Sequence, residues 1–319
     1  MRKWLIASMM LLVPVVAGAA AADNYPDWAY PVTPEGFKGQ ADDGMPKTIQ
    51  GSSVSLTTKQ IGNPYGPANW FPNDTQNMPP IVARGDNMRM VFACSLCHLT
   101  NGQGHPESAN IAGLPAAYIE EQMYEFKNGN RKSGAPTRSA AMIRFAQAMT
   151  DEEIKQSAAW FAAQKPIPFS RVIEADDVTK SYVGEGAMRF DTAGEEKEPV
   201  GRRIVELPDN ETGARTRDPR SGFVAYVPRG TLQAGQQLAT TGGNGKTIQC
   251  SICHGADLKG LGNVPGLAGR SPIYVYRQLN DIKTGLRMGN SVALMKPVVD
   301  KMSPDDMLAV SAYVGSLTP

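Results

Sequence analysis

The stretch FACSLCH, residues 92–98, returns later in the chain as IQCSICH, residues 248–254. These two segments contain all four cysteines and two of the three histidines of the 319-residue chain. In each copy two residues separate the cysteines and a histidine follows directly, which gives the pattern C-x-x-C-H twice. Because every cysteine lies in one of these two motifs, we expect both motifs to carry out the same chemistry.

C-x-x-C-H is the attachment pattern of c-type haem. Two thiols at this spacing form thioethers to the two vinyl groups of one porphyrin, and the adjacent histidine then lies beneath the iron. A single copy would also fit a zinc half-site or a redox dithiol. Two copies favour two covalent haems c, with these residues as attachment points and proximal ligands: Cys94, Cys97 and His98 in the first copy, and Cys250, Cys253 and His254 in the second.

The amino terminus predicts export. Arg2 and Lys3 precede an apolar run that ends in alanines up to Ala22, which is typical of a secretory signal peptide cleaved after that residue. An uncleaved membrane anchor is the alternative, because the run is nearly long enough to span a bilayer. Pro14 and the alanine-rich end favour cleavage. The mature chain, residues 23–319, is predicted to be periplasmic and to have no membrane span.

Charge and length narrow the class of protein further. The formal net charge is +1, and it becomes −1 when Arg2 and Lys3 are removed with the signal peptide. So balanced a chain has no net basic attraction for nucleic acid. Its length predicts about two domains of roughly 150 residues each. Export normally favours disulfides, but the spacing of the cysteines favours haem attachment.

The two motifs belong to a duplicated segment. Counted from His98 and His254, the two copies stay in register without a gap for more than thirty residues, a sign of internal repetition. The matched pairs include Gly104 with Gly260, Ala112-Gly113 with Ala268-Gly269, Tyr118 with Tyr274, Gln122 with Gln278, Gly129 with Gly285 and Arg131 with Arg287. The third histidine, His105, falls opposite Leu261, so we predict an ordinary loop residue there and not an iron ligand.

Each copy also has two methionines seven positions apart, Met142 with Met149 and Met295 with Met302. The later methionine of each pair precedes a helix start: Thr150 with Glu153 is a capping box, and Ser303 with Asp306 is a close variant. An apolar residue before such a cap packs on the fourth helical position, here Ile154 and Met307. This staple accounts for Met149 and Met302. Met142 and Met295 have no such role, and we predict them as distal iron ligands; core-filling methionine is the alternative.

These residues resemble class I cytochromes c arranged in tandem, like the periplasmic diheme electron carriers. The resemblance rests on C-x-x-C-H, a Gly-rich loop, a Y-x-x-x-Q helix, a G-x-R turn, a ligand methionine and a closing helix with an aromatic residue, here Trp160 and Tyr313. It implies an all-α fold of two modules, each wrapped around one covalent haem. The predicted organisation is a signal peptide (1–22), a Pro/aromatic-rich N-terminal extension (23–80), module 1 (81–165), a charged, irregular inter-module connection (166–228) and module 2 (229–319). Within the connection, RRIVEL (202–207) and GFVAYV (222–227) are candidates for short strands that pack between the modules.

The resemblance implies that the protein transfers single electrons and is not an enzyme. Iron with histidine and methionine on both axial positions has no open site, and methionine favours the reduced metal. The expected partners are redox proteins: an exported dehydrogenase, an oxidase or another cytochrome. The alternatives are a diheme enzyme of the peroxidase or thiosulfate-oxidising type with one open haem, and a cytochrome subunit of a dehydrogenase or oxidase complex.

One position departs from the pattern of these modules. They usually have a proline whose carbonyl oxygen accepts the proton-bearing nitrogen of the haem histidine. Pro265 occupies that position in module 2, whereas module 1 has Ala109. This difference predicts that a different carbonyl orients His98 and that the first haem has a slightly different environment.

Overall fold

The structure is a computed structural model that describes residues 25–319; the predicted signal peptide lies outside the described residues. The N-terminal extension has little regular structure apart from helix α1 (Thr58–Ile61) and a 3-10 turn (Pro72–Thr75). Its aromatic residues reach both modules. The Trp28 ring packs 4.6 Å from the ring of Tyr276, and the Tyr65 ring lies 5.5 Å from that of Phe92. The extension therefore contacts both modules.

Module 1 is helical, as predicted. Its helices are α2 (Pro80–Ala83), α3 (Cys94–His98), α4 (Ala116–Lys127), α5 (Pro136–Ala148) and α6 (Asp151–Ala162). Helix α6 starts at a capping box: the Thr150 hydroxyl accepts the Glu153 N–H, and the Glu153 carboxylate accepts the Thr150 N–H. Met149 and Ile154 are buried in one apolar cluster. The predicted cap and staple are confirmed.

The connection contains seven short strands. They are β1 (Ser170–Glu174), β2 (Asp177–Thr179), β3 (Ser181–Val183), β4 (Arg189–Asp191), β5 (Lys197–Pro199), β6 (Val205–Pro208) and β7 (Phe223–Val227), with a 3-10 turn (Glu185–Ala187) and helix α7 (Glu211–Arg215) between them. Strand β7 pairs in parallel with β1 and antiparallel with β6. The pairs β2–β5 and β3–β4 are antiparallel. Strands β6 and β7 overlap the two segments that the sequence offers as short strands, 202–207 and 222–227, whereas β1 to β5 correct the prediction of an otherwise irregular connection. All-α therefore describes the two modules but not the whole chain.

Module 2 repeats the helical plan with one longer first helix. Its helices are α8 (Thr231–Gly245), α9 (Ser251–His254), α10 (Pro272–Lys283), α11 (Asn290–Ala293), α12 (Lys296–Asp300) and α13 (Pro304–Ser316). Helices α8 and α13 cross closely at Gly235, where an added Cβ would lie 2.1 Å from the Ala309 carbonyl oxygen. Ser303 and Asp306 form the capping box of α13, and Met302 and Met307 are buried in one cluster. The second predicted staple is also confirmed.

The three-stranded sheet of the connection shares the core of module 2. Ala225 and Val227 on β7 belong to the same apolar cluster as Ile273 on α10 and Val310 on α13. At the start of α10 the Ser271 hydroxyl donates to the Glu206 carboxylate on β6 (2.6 Å). The connection is therefore folded onto module 2. Within residues 25–319, no helix has both the length and the apolar character that crossing a membrane requires.

Burial of Glu206 gives a testable pH dependence. Desolvation raises the pKa of this carboxyl to about 7, and its Oε1 atom has no hydrogen-bond partner. Because ionisation is less favourable in the folded chain than in the unfolded one, stability is higher at acidic pH and falls as pH rises through about 7. The shift from 4.5 to about 7 corresponds to roughly 3 kcal/mol. We expect Glu206→Gln to reduce the fall in Tm between pH 5 and pH 8.

Thermal unfolding at the two pH values measures this effect. Glu195→Gln, at an exposed position of the connection, is the matched control and is expected to keep the full pH dependence of the native chain. An identical fall in Tm for the native chain and Glu206→Gln would show that Glu206 is not the titrating group.

Candidate haem centres

The first C-x-x-C-H motif forms helix α3, which is fixed to α2. The Ser95 hydroxyl donates to the Val82 carbonyl oxygen (2.8 Å), and the Cys94 thiol to that of Ile81 (3.6 Å). Burial raises the pKa of Cys94 to about 12. The chain reverses after His98 at Leu99, which has a φ of 62°. The geometry holds both cysteines and the histidine of the motif on one short helical segment.

The ring of His98 is oriented by the backbone. Its Nδ1 donates to the carbonyl oxygen of Ala109 at 2.8 Å. Burial, opposed by this hydrogen bond, lowers the pKa of His98. With the proton on Nδ1, Nε2 has a free lone pair, which is the form of imidazole that binds a metal.

His254 has the same arrangement in module 2. Its Nδ1 donates to the Pro265 carbonyl oxygen at 2.7 Å, and burial lowers its pKa. Pro265 and Ala109 occupy the same position relative to their histidines. The prediction that a different carbonyl orients His98 is therefore wrong, because the acceptor is a backbone oxygen that alanine supplies as well as proline.

The two predicted distal methionines lie on separate elements from the motifs. Met142 is half-buried on α5, and Met295 is half-buried at the N-cap of α12. By contrast, Met149 and Met302 are almost completely buried in the cores. Partial burial suits a thioether that faces a cofactor site, and the ligand role of Met142 and Met295 stays a prediction.

His105 is a hydrogen-bonded loop residue, as predicted. Its Nδ1 accepts the N–H of Glu107 at 3.3 Å, and its backbone pairs with that of Ser108. Desolvation and the nearby Arg217 and Arg138 guanidinium groups hold its pKa well below the usual range. His105 is therefore neutral, and it lies beneath the connection and not at an open surface.

The modules meet through residues that match in the repeat. Arg131 of module 1 donates to Gln122 of its own module (2.9 Å). Across the interface it donates to the Tyr274 hydroxyl (3.1 Å) and to Gln278 (3.2 Å). The interface thus joins the Y-x-x-x-Q helix of one module to the G-x-R turn of the other.

Arg287 makes the reciprocal set of contacts. It donates to Gln278 of its own module (3.0 Å), and across the interface to the Tyr118 hydroxyl (3.0 Å) and Gln122 (2.9 Å). The sequence showed these residues only as matched pairs. The sequence feature that could have indicated this interface is the presence of identical polar residues at matched positions of both copies. Positions on a solvated face would be free to differ between the copies.

This interface fits the acidic groups of a haem. Arg131 and Arg287 are buried, and within residues 25–319 neither forms an ion pair with a carboxylate. The Nε atom of Arg287 has no hydrogen-bond partner. Two buried cations without counter-ions are costly. The propionates of a haem are carboxylates of the required charge, so the residues present fit the group.

Residues 232–318 match the sequence model of the family described as Cytochrome c. Cytochrome c4 of Pseudomonas aeruginosa is 36% identical over 228 residues, covering 70% of this chain and 83% of that protein. This chain belongs to the cytochrome c4 family. The "Thiosulfate dehydrogenase electron acceptor" of Thiomonas intermedia is 24% identical over 70% of this cytochrome and 78% of that protein. A solved cytochrome c4 from Acidithiobacillus ferrooxidans covers 70% of this chain and 98% of its own, at 23% identity and a TM-score of 0.47.

Family membership confirms the resemblance and two expectations. This cytochrome is a class I c-type cytochrome that carries covalent haem c, and it is an electron-transfer protein, not an enzyme. The chemistry that the haem supplies is a reversible one-electron couple. The carbonyl oxygens of Ala109 and Pro265 would orient the histidine ligands of such a group.

Proposed function

We propose that this cytochrome holds two haems, one in each module, and passes single electrons between an exported dehydrogenase and an acceptor protein in the periplasm. The first is attached through Cys94 and Cys97 and the second through Cys250 and Cys253. The modules are residues 81–165 and 229–319, preceded by a signal peptide that is removed after Ala22. The proposal gains support from the relatives, which include the "Thiosulfate dehydrogenase electron acceptor" of two organisms.

The observation that carries this proposal is the pair of histidine contacts. In both modules Nδ1 donates to a carbonyl, 2.8 Å for His98 and 2.7 Å for His254, which leaves both Nε2 atoms as ligands. One oriented histidine beside two thiols is the requirement of a haem c site, and the chain meets it twice. With Met142 and Met295 as distal ligands, neither iron would be open to oxygen or peroxide.

The interface between the modules favours transfer from one haem to the other. Arg131 and Arg287 bridge the modules with four hydrogen bonds of 2.9–3.2 Å. Such a network holds the two modules in one fixed relation and attracts the acidic edge of each cofactor to the shared boundary. Electrons accepted at one module then have a short route to the other.

The visible spectrum of the mature protein tests this function. We expect two covalent haems per chain, the weak long-wavelength band of iron-bound methionine at full strength, and no spectral response of the reduced protein to carbon monoxide. A half-strength methionine band together with carbon monoxide binding at one haem would mean an open iron and would overturn the proposal of a pure electron relay.

A further inference from the structure

The two modules present the same face to very different surroundings. Counted from the motif histidines, this face consists of four matched positions: Phe92 with Ile248, Leu96 with Ile252, Cys97 with Cys253, and His105 with Leu261. In module 2 all four are open. Ile248 is 43% exposed, Ile252 58% and Leu261 62%, and Cys253 is also exposed. In module 1 all four positions are only partly exposed.

Residues outside module 1 cover its copy of this face. The ring of Tyr65, from the N-terminal extension, meets Phe92 edge-on at 5.5 Å. The Arg217 guanidinium, from the connection, donates to the carbonyl oxygen of Leu96, the residue between the two cysteines. Its positive charge also acts on Cys97, whose pKa is nevertheless raised by burial. These contacts place the cover directly over the haem attachment site.

The cover continues over the loop that follows the motif. Leu99 is buried in an apolar cluster with Phe169 and Phe223, and the Asn101 side chain donates to the Pro219 carbonyl oxygen (2.7 Å). His105 lines a cavity of about 70 Å³ between this loop and the connection. The residues of module 2 that match Leu99 and Asn101 are Gly255 and Asp257. Their types suit an open loop.

We propose that module 2 is the electron port of this cytochrome: partner proteins exchange electrons at the open face around Ile252 and Leu261, and the haem of module 1 exchanges with them only through module 2. This inference rests on the proposed two-haem function. The occupant of the open face is a redox protein that presents apolar side chains around a hydrogen-bond donor. This expectation follows from module 1, where the matched face is covered by the Tyr65 ring and by the Arg217 guanidinium, which is the hydrogen-bond donor.

Hexacyanoferrate(III) is a suitable probe of the port. Each anion accepts one electron and becomes hexacyanoferrate(II), while one ferrous iron becomes ferric. A lysine beside the port attracts this trianion, so we expect Leu261→Lys to raise the rate constant for oxidation of both haems roughly two- to tenfold at low salt, and the gain to fade as salt rises. Met88→Lys, at a residue of module 1 that is 93% exposed, is the charge-matched control and should leave the rate nearly unchanged.

Removal of the cover provides the second variant. Arg217 has a φ of 55°, which glycine adopts without strain, so Arg217→Gly removes the guanidinium while the backbone is retained. Ala193→Gly, at an exposed position of the connection with a φ of 56°, is its control. We expect Arg217→Gly to give the haem of module 1 its own exchange with the probe, and Ala193→Gly to behave like the native protein.

A readout without electron transfer completes the test. The inert paramagnetic anion hexacyanochromate(III) broadens NMR signals close to its contact sites. In the native protein we expect broadening of the methyl signals of one haem only, and in Arg217→Gly broadening of those of both. The port is refuted if native broadening is equal at the two haems, or if Leu261→Lys leaves half of the oxidation amplitude at its original rate. A chain with one haem, or with an open iron, would instead refute the two-haem function.

Discussion

Replacement of Arg277 by methionine is expected to lower the free energy of unfolding by about 3–5 kcal/mol, the usual cost of removing one partner of a buried ion pair. Arg277 lies on α10 of module 2 and is 4% exposed. Its guanidinium is 3.1 Å from the Glu107 carboxylate of module 1. It also donates to the carbonyl oxygens of Ala29 (2.9 Å) and Pro106. One side chain thus joins both modules and the N-terminal extension.

The expected loss depends on pH. Burial raises the pKa of Glu107 even with Arg277 and Arg138 beside it, and removal of Arg277 raises it further. A carboxyl whose pKa is higher in the folded state disfavours folding when it is ionised. The variant is therefore expected to regain stability as pH falls through the raised pKa towards the ordinary value of glutamate. Urea unfolding at pH 5 and pH 8 measures both the loss and its pH dependence.

Arg202→Met is the matched control. Arg202 forms an ion pair with Asp305, and both side chains are largely exposed. An exposed pair contributes about 0–1 kcal/mol because water screens it. If Arg277→Met were no more destabilising than Arg202→Met, the buried cluster around Glu107 would have no special role in joining the modules.

The features that the sequence predicted correctly are those carried by short, local patterns. A capping box needs only a side chain and the backbone three residues away, so Thr150 and Ser303 were identifiable without the fold. The register of the repeat also predicted a loop residue at His105, and the structure places it in a hydrogen-bonded loop.

The features that the sequence missed depend on distant segments. The segment of β7 was a candidate strand, but nothing in the sequence indicated β1, whose five residues are too short for alternation to reveal a strand. Nor could the sequence predict that β1 pairs in parallel with β7, more than fifty residues away. The contacts of Arg131 with Tyr274 and Gln278 require the two modules to be placed against each other. The prediction that a different carbonyl orients His98 failed because the acceptor is a backbone oxygen, which Ala109 supplies as well as the expected proline would.

Replacement of either predicted distal methionine is expected to have the largest effect on the haem chemistry. In Met142→Ala or Met295→Ala one iron loses its sulfur ligand, so we expect the long-wavelength methionine band to fall to half strength and carbon monoxide to bind one haem of the reduced protein. Since methionine favours the reduced metal, the potential of that haem should fall by on the order of 0.1 V or more, within the span of about 0.8 V that axial ligands set.

The methionines of the two staples provide the controls. Met149→Leu and Met302→Leu conserve apolar volume in the core, so each should cost less than about 1.5 kcal/mol and leave the methionine band and both potentials intact. This contrast separates ligand methionine from packing methionine within each module. The assignment would be wrong if Met142→Ala kept the full methionine band while Met149→Leu lost half of it. Met149 would then be the sulfur ligand of module 1, and the residue before the cap of α6 would bind iron instead of packing on Ile154.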